Sequence, residues 1–249
     1  ALGMSKNAKK VIKKASDNIS KYPDGKFKDL TSIISKKYNC NQNQVICGSG
    51  SDEIIQMLCQ LFLKSKDEVI VTEFSFLMYR IYAKISGAKV IFADVDPTTW
   101  NIDPEDVERK ITSKTRAILV VSWAGLPVDM DPILEIAEQH NLLVVEDSAQ
   151  TLLSTYKGQQ AGTIGHLGVY SFENKKHMTC GSEGGMVVSS DPELATRARK
   201  FGGIGYKHMT ANAGRTHLAM STVQDPAYER FDTIGLNYRM NEISAAVGL

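Results

Sequence analysis

The chain has 249 residues, 43% of them apolar and 23% charged, with 19 Gly and 7 Pro. That composition excludes a disordered, collagen-like or coiled-coil protein, and the length suffices to bury about 70% of the unfolded surface without disulfide staples. Cys40, Cys47, Cys59 and Cys180 show neither CxxC spacing nor histidines at zinc spacing. They read as reduced thiols, and no metal is expected. No apolar run reaches the roughly 18 residues of a membrane span and no signal peptide opens the chain, so the expectation is a cytoplasmic protein with no membrane partner.

The net charge is +1, but it is unevenly spread: residues 1–95 carry 14 Lys and 1 Arg against 9 acids, a net +6, and residues 96–249 carry 14 basic against 19 acidic residues, a net −5. A basic half can mark a nucleic-acid partner. Here the lysines (Lys6, Lys9, Lys10, Lys13, Lys14, Lys26, Lys28, Lys36, Lys37) lie along predicted helices without interleaved aromatics. A solvated helix face is the better reading, and no nucleic acid is expected.

In chain order, the first clear element is a helix over Ser51–Lys64, apolar almost all round and therefore buried. Strands follow at Val69–Thr72 and Lys89–Val95. Asp103-Pro104 then announces a helix, with an acid at the cap and a proline at the first helical position. A strand at Arg116–Trp123 leads to a second such signal at Asp131-Pro132, with Ile133, Leu134, Ile136 and Ala137 at helical spacing. Strands at Leu142–Glu146, Gly168–Phe172 and Gly184–Ser189 precede a third signal at Asp191-Pro192. The strands are nearly continuous apolar runs, as expected when helices cover both faces. The alternation predicts an α/β fold: three layers (α/β/α) around a mostly parallel, doubly wound sheet, in one domain spanning residues 1–249.

Such sheets bind ligands at the carboxyl ends of their strands. Three strand-to-helix junctions carry chemistry there. Cys47-Gly48-Ser49-Gly50-Ser51-Asp52-Glu53 is equally compatible with a tight turn capped by Ser51 and with a phosphate cradle at a helix start. It is neither a dinucleotide fingerprint nor a Walker loop. Glu146-Asp147 ends a buried strand, where an acid is costly unless a cation meets it. It is either a structural cap or ion pair, or a carboxylate that keeps a ring nitrogen protonated. Ser171-Phe172-Glu173-Asn174-Lys175-Lys176, followed by small residues and glycines, suits a Schiff-base lysine, although a lone lysine there is more often a surface residue.

Together these pieces carry a resemblance. From about residue 96 to Leu249 the chain resembles the DegT family of sugar aminotransferases, on Val121-Ser122-Trp123-Ala124-Gly125-Leu126-Pro127-Val128-Asp129-Met130, Glu146-Asp147-Ser148-Ala149-Gln150, the Ser171-Phe172-x-x-x-Lys176 block and Leu236-Asn237-Tyr238-Arg239-Met240. It departs at Ser182, where the family usually reads Gly-Glu-Gly-Gly. Residues 1–95 resemble a different branch of the same fold, histidinol-phosphate aminotransferase, on Tyr22-Pro23-Asp24-Gly25, Gly48-Ser49-Gly50-Ser51-Asp52-Glu53 and Phe74-Ser75-Phe76-Leu77-Met78-Tyr79-Arg80. That branch's Asn-Pro-Thr-Gly turn is replaced here by Ala124-Gly125-Leu126-Pro127.

The resemblance implies the large domain of a fold-type-I transferase dependent on pyridoxal 5'-phosphate, with a C-terminal small domain lying beyond Leu249. It implies that Lys176, not Lys175, carries the cofactor and moves the proton, and that Asp147 holds the ring nitrogen. Ser171, Gly50, Ser51 and Asp52 would hold the phosphate, Phe76 would stack on the ring and Gln150 would contact the phenolic oxygen. Asn237 and Tyr22 would reach a phosphate across a homodimer with shared sites. The partners implied are a small-molecule amino donor, glutamate, and a keto acceptor, either a nucleotide-linked sugar or an imidazole phosphate. A scaffold without catalysis is the alternative of another class. The charge break falls near Ser86-Gly87-Ala88-Lys89, where one resemblance yields to the other, and suggests a mosaic of two related enzymes.

Overall fold

The structure is a computed structural model and describes residues 3–17, 19–20, 23, 28–210 and 220–249. Helix α1 (Lys6–Ser16) starts at Ser5, whose hydroxyl accepts the Ala8 N–H, and α2 (Lys28–Tyr38) follows. The alternating part then runs β1 (Val45–Gly48), α3 (Ser51–Phe62), β2 (Glu68–Thr72), α4 (Leu77–Ile85), β3 (Lys89–Ala93), α5 (Pro104–Lys110), β4 (Thr115–Val121), α6 (Met130–His140) and β5 (Leu143–Asp147). A short hairpin, β6 (Thr155–Tyr156) and β7 (Gln159–Gln160), leads to β8 (Leu167–Ser171) and β9 (Gly185–Val188). Helices α7 (Pro192–Gly202), α8 (Met220–Gln224) and α9 (Glu242–Gly248) complete the described elements.

Among the described residues seven strands form one sheet, in the order β1-β9-β8-β5-β4-β2-β3. All neighbours pair parallel except at β9, which is antiparallel to both β1 and β8. The mostly parallel sheet read from the sequence is therefore present. Side-chain alternation splits each strand between two cores. Val69, Val71, Ala117, Leu119, Val145, Val169 and Val187 face α3, α4 and α7. Ile70, Ile118, Val120 and Val144 face α6 on the other side, and Val45, Cys47, Tyr170 and Met186 continue that side toward Leu30 and Ala245.

Two local readings change. Asp103 and Asp191 cap α5 and α7 as read, each accepting main-chain N–H groups of the first turn. Asp131 does not cap α6: that helix begins at Met130 after Asp129, so Asp131 lies inside the first turn and pairs with Lys157. Strand β1 was not among the sequence-read strands. Four residues bounded by Gln44 and Gly48 are too short for a periodic signal, and β1 exists because β9 pairs with its full length. No described helix is long and apolar enough to cross a membrane.

Candidate active site

Parallel pairing brings the carboxyl ends of β4, β5 and β8 side by side: Val121 lies against Asp147, and Asp147 against Val169. The β1–α3 turn joins them through β9, which runs between β1 and β8. Residues far apart in the chain thus meet at one edge.

The start of α3 corrects one detail of the sequence reading, the identity of the cap. Gly50, in extended backbone, occupies the cap position with no side-chain capping bond, and Ser51 is the first helical residue. Ser51 is therefore not a cap, and the first-turn N–H groups keep their anion-binding character. A Cβ on Gly185 would sit 2.4 Å from the Gly50 carbonyl carbon and 2.5 Å from the Ser51 nitrogen. Only glycine lets β9 approach this helix start so closely. Ser49 Oγ donates to the Arg239 carbonyl at 2.9 Å, which fastens the Leu236–Met240 segment over the same turn. Asn237, in that segment, is exposed.

Glu146 and Asp147, adjacent on β5, point to opposite sides of the strand and do different work. Glu146 accepts main-chain N–H groups from Gly162 (2.8 Å), Ile164 (2.7 Å) and Gly165 (2.5 Å), pinning the loop before β8. Asp147 is buried; its Oδ2 accepts the Tyr79 hydroxyl at 2.5 Å and its Oδ1 the Ala149 N–H at 2.9 Å. Burial pushes the Asp147 carboxyl upward, opposed by the Tyr79 and Ala149 hydrogen bonds and by the positive charge of Lys176. The expectation that a cation must meet these acids holds only for Asp147, and only through electrostatic reach. Neutral donors do most of the work at both.

Lys176 sits half-buried in the Glu173–Gly184 loop, while Lys175 is exposed. The loop is anchored at both ends, by Phe172 N–H to the Gly184 carbonyl and by Cys180 N–H to the Phe172 carbonyl. Ser171, the last residue of β8, is buried at the same edge. Ser182, the extra residue within Gly181-Ser182-Glu183-Gly184-Gly185, has φ of 99°. Gln150 Oε1 accepts the Ala124 N–H at 2.8 Å, which leaves its amide N–H groups as donors. Phe76, at the start of α4, is half-exposed and meets Tyr79 edge-on at 5.7 Å between centroids. One turn on, Tyr82 donates to Asp52 Oδ2 at 2.6 Å.

The geometry thus assembles Asp147, Lys176, Ser171, Phe76 and the Gly50–Asp52 turn at one edge. Asn237 lies on its rim, and Tyr22 falls outside the described residues. The sequence reading missed Tyr79, Tyr82 and the structural duty of Glu146. Tyr79 stood inside a quoted motif, but nothing local predicts that its hydroxyl reaches an acid 68 residues away.

A mostly parallel sheet with a lysine, a buried acid and an open helix start at one edge is a ligand-binding arrangement of the doubly wound α/β class. The DegT/DnrJ/EryC1/StrS aminotransferase family model matches residues 23–249, and the chain belongs to this family. It is 50% identical over 154 residues to the histidinol-phosphate aminotransferase of Pelagibacter ubique, covering 59% of this chain and 42% of that protein. It is 40% identical over 201 residues to the GDP-perosamine synthase of Escherichia coli O157:H7, covering 81% and 50%. Among solved structures, an aminotransferase from Psychrobacter cryohalolentis superposes with a TM-score of 0.86 at 31% identity, covering 99% of this chain and 61% of that one. The chain spans about half the length of the curated relatives it matches. The family's cofactor is pyridoxal 5'-phosphate. The donor set fits it: an uncapped helix start for a phosphate, a buried carboxylate for a ring nitrogen and a lysine in electrostatic reach of that carboxylate.

Proposed function

We propose that this chain is the cofactor-binding part of an aminotransferase that moves an amino group from an amino acid, glutamate, to a keto sugar carried on a nucleotide. The observation that carries the reading is the placing of buried Asp147, at the carboxyl end of β5, on the same sheet edge as the open start of α3, with Lys176 within electrostatic reach of the carboxylate. Sugar-acting names among the relatives, GDP-perosamine synthase first, support the acceptor class.

Pyridoxal phosphate, when bound, supplies the electron sink for the charge that develops on the donor carbon. In this reading Lys176 Nζ would hold the cofactor and serve as the general acid and base of the reaction. Asp147 holds the ring nitrogen protonated. Ser171 and the N–H groups of Gly50, Ser51 and Asp52 hold the phosphate, Phe76 covers the ring, and the Gln150 amide donates to the phenolic oxygen. Asn237, from the rim of one copy's site, and Tyr22 would reach the phosphate held by the second copy of a homodimer. Helix α4 supports that assembly with Leu77, Ile81 and Ile85, exposed at helical spacing beside Phe74. A cytoplasmic setting accords with four free thiols.

A second acceptor, an imidazole phosphate, is favoured by the 50% identity to a histidinol-phosphate aminotransferase. One experiment tests the reading and ranks the acceptors. The purified chain, mixed with pyridoxal phosphate, should turn yellow. Borohydride should then fix the cofactor to the peptide bearing Lys176, read by mass spectrometry, and the coloured protein is screened against keto sugars and imidazole phosphates. A protein that stays colourless, or labels elsewhere, overturns the proposal.

A further inference from the structure

One buried polar group at this edge has no part in that reading. Tyr79 is 2% exposed, and its hydroxyl donates to Asp147 Oδ2. The second direct donor, the Ala149 N–H, comes from two residues along the same chain segment and cannot by itself fix where the carboxylate points. Tyr79 comes from a different layer of the fold. It is held there by its place on α4, which also offers Phe76 edge-on to it and Tyr82 to Asp52. Helix α4 and its cap residue therefore touch the site at three points: Phe76 at the cap, and Tyr79 and Tyr82 on neighbouring positions of the helix face.

The chemistry of a shared proton says what this contact does. A neutral donor stabilises a carboxylate more than the corresponding acid. When a carboxylate and a ring nitrogen share one proton, a phenol on the carboxylate biases that proton toward the nitrogen. Burial, and then the neighbouring charge of Asp147, push the Tyr79 hydroxyl well above the ordinary phenol range. It therefore remains a donor and does not titrate near neutrality.

We propose that Tyr79 is the positioning residue of Asp147: its hydroxyl orients the carboxylate and keeps the proton it shares with the cofactor on the ring nitrogen. The proposal rests on the cofactor reading above. Tyr79 acts only through Asp147 and is not itself a catalytic residue.

The test loads the full chain with pyridoxal phosphate carrying ¹⁵N in the ring. The nitrogen chemical shift and the cofactor dissociation constant are then measured for wild type, Tyr79→Phe, Asp147→Ala and the double variant. Tyr79→Phe removes one oxygen and keeps the ring against Phe76. It should move the nitrogen toward its unprotonated shift and weaken cofactor binding about tenfold, the scale of one hydrogen bond to a charged group. In the Asp147→Ala background the same change should move neither readout. A wild-type shift in Tyr79→Phe, or an equal displacement with Asp147 absent, overturns the proposal while leaving the cofactor reading intact. Loss of the near-ultraviolet circular dichroism in Tyr79→Phe makes the residue structural and overturns it as well. A wild-type protein that takes up no cofactor brings down the cofactor reading and this proposal together.

Discussion

Two side chains at the site show how a residue's role depends on what meets it. Burial disfavours the charged form of Asp147, and the hydrogen bonds from Tyr79 and Ala149 and the positive charge of Lys176 oppose that push. Asp147→Asn retains shape and loses charge. It should lower kcat by about 10²–10³-fold, the usual cost of one preorganised electrostatic contact, with an unchanged far-ultraviolet circular dichroism spectrum. Steady-state kinetics on the best acceptor checks this. Ser182 is the opposite case, a residue at φ of 99° where a side chain is strained. Ser182→Gly should raise stability by about 1 kcal/mol, read as a higher urea midpoint at constant slope. Asp147 was legible in the sequence because an acid at the end of an apolar strand is conspicuous. Tyr79 was not, because its partner is set by how α4 lies on the sheet.

The elements show which boundaries local chemistry can set. Asp103 and Asp191 were readable as caps because the bonds they make lie within three residues. Asp131-Pro132 carries the same signal without being a cap, because Asp129, two residues earlier, holds the cap position and the proline falls at the third residue of the helix. Gly185 belongs to this scale too, since the β9–α3 approach needs it. Gly185→Ala drives a Cβ into main-chain atoms that cannot swing away, and should cost about 2–3 kcal/mol and weaken pyridoxal phosphate binding. Chemical denaturation and a cofactor titration measure the two effects. Helix α5 carries a pH signature. The Lys110 ammonium, the Asp94 N–H and the Arg109 guanidinium hold the Asp106 carboxyl down at about 2. A carboxyl lowered in the folded state contributes stability above its unfolded value near 4, and that contribution is lost as pH falls from there toward 2. Lys110 and Arg109 reach into solvent, so Asp106→Asn should cost only about 1 kcal/mol at pH 7. Its melting curve should converge on that of wild type by about pH 2.

For the whole molecule, the break in charge and resemblance near residue 95 does not divide the fold. Strand β2 pairs with β4 and β1 with β9, so both segments share one sheet. The family model likewise runs from residue 23 to 249 without respecting the break. We propose that the two segments are a working mosaic within one domain, and that the Lys-rich first part records ancestry, not a nucleic-acid partner. The exposed stripe of Leu77, Ile81 and Ile85 is expected to lie between two copies of the chain. Ile81→Glu should shift the sedimentation velocity profile from dimer to monomer and raise the dissociation constant for pyridoxal phosphate, because a shared site loses its second subunit. A wild-type chain that sediments as a monomer sinks the shared-site reading.

By itself the sequence determined the three-layer class, six of the seven sheet strands and the two motifs that bear the lysine and the acid. Those signals are local: apolar runs, cap residues and short spacings. Only the tertiary structure decided that β1 exists, that Gly50 rather than Ser51 holds the cap position of α3, that Glu146 holds a loop, and that Tyr79 faces Asp147. Each of these depends on groups far apart in the chain meeting at one edge of the sheet. Burial at that edge makes unpaired polar groups costly, and only the folded arrangement says which donor answers which acid.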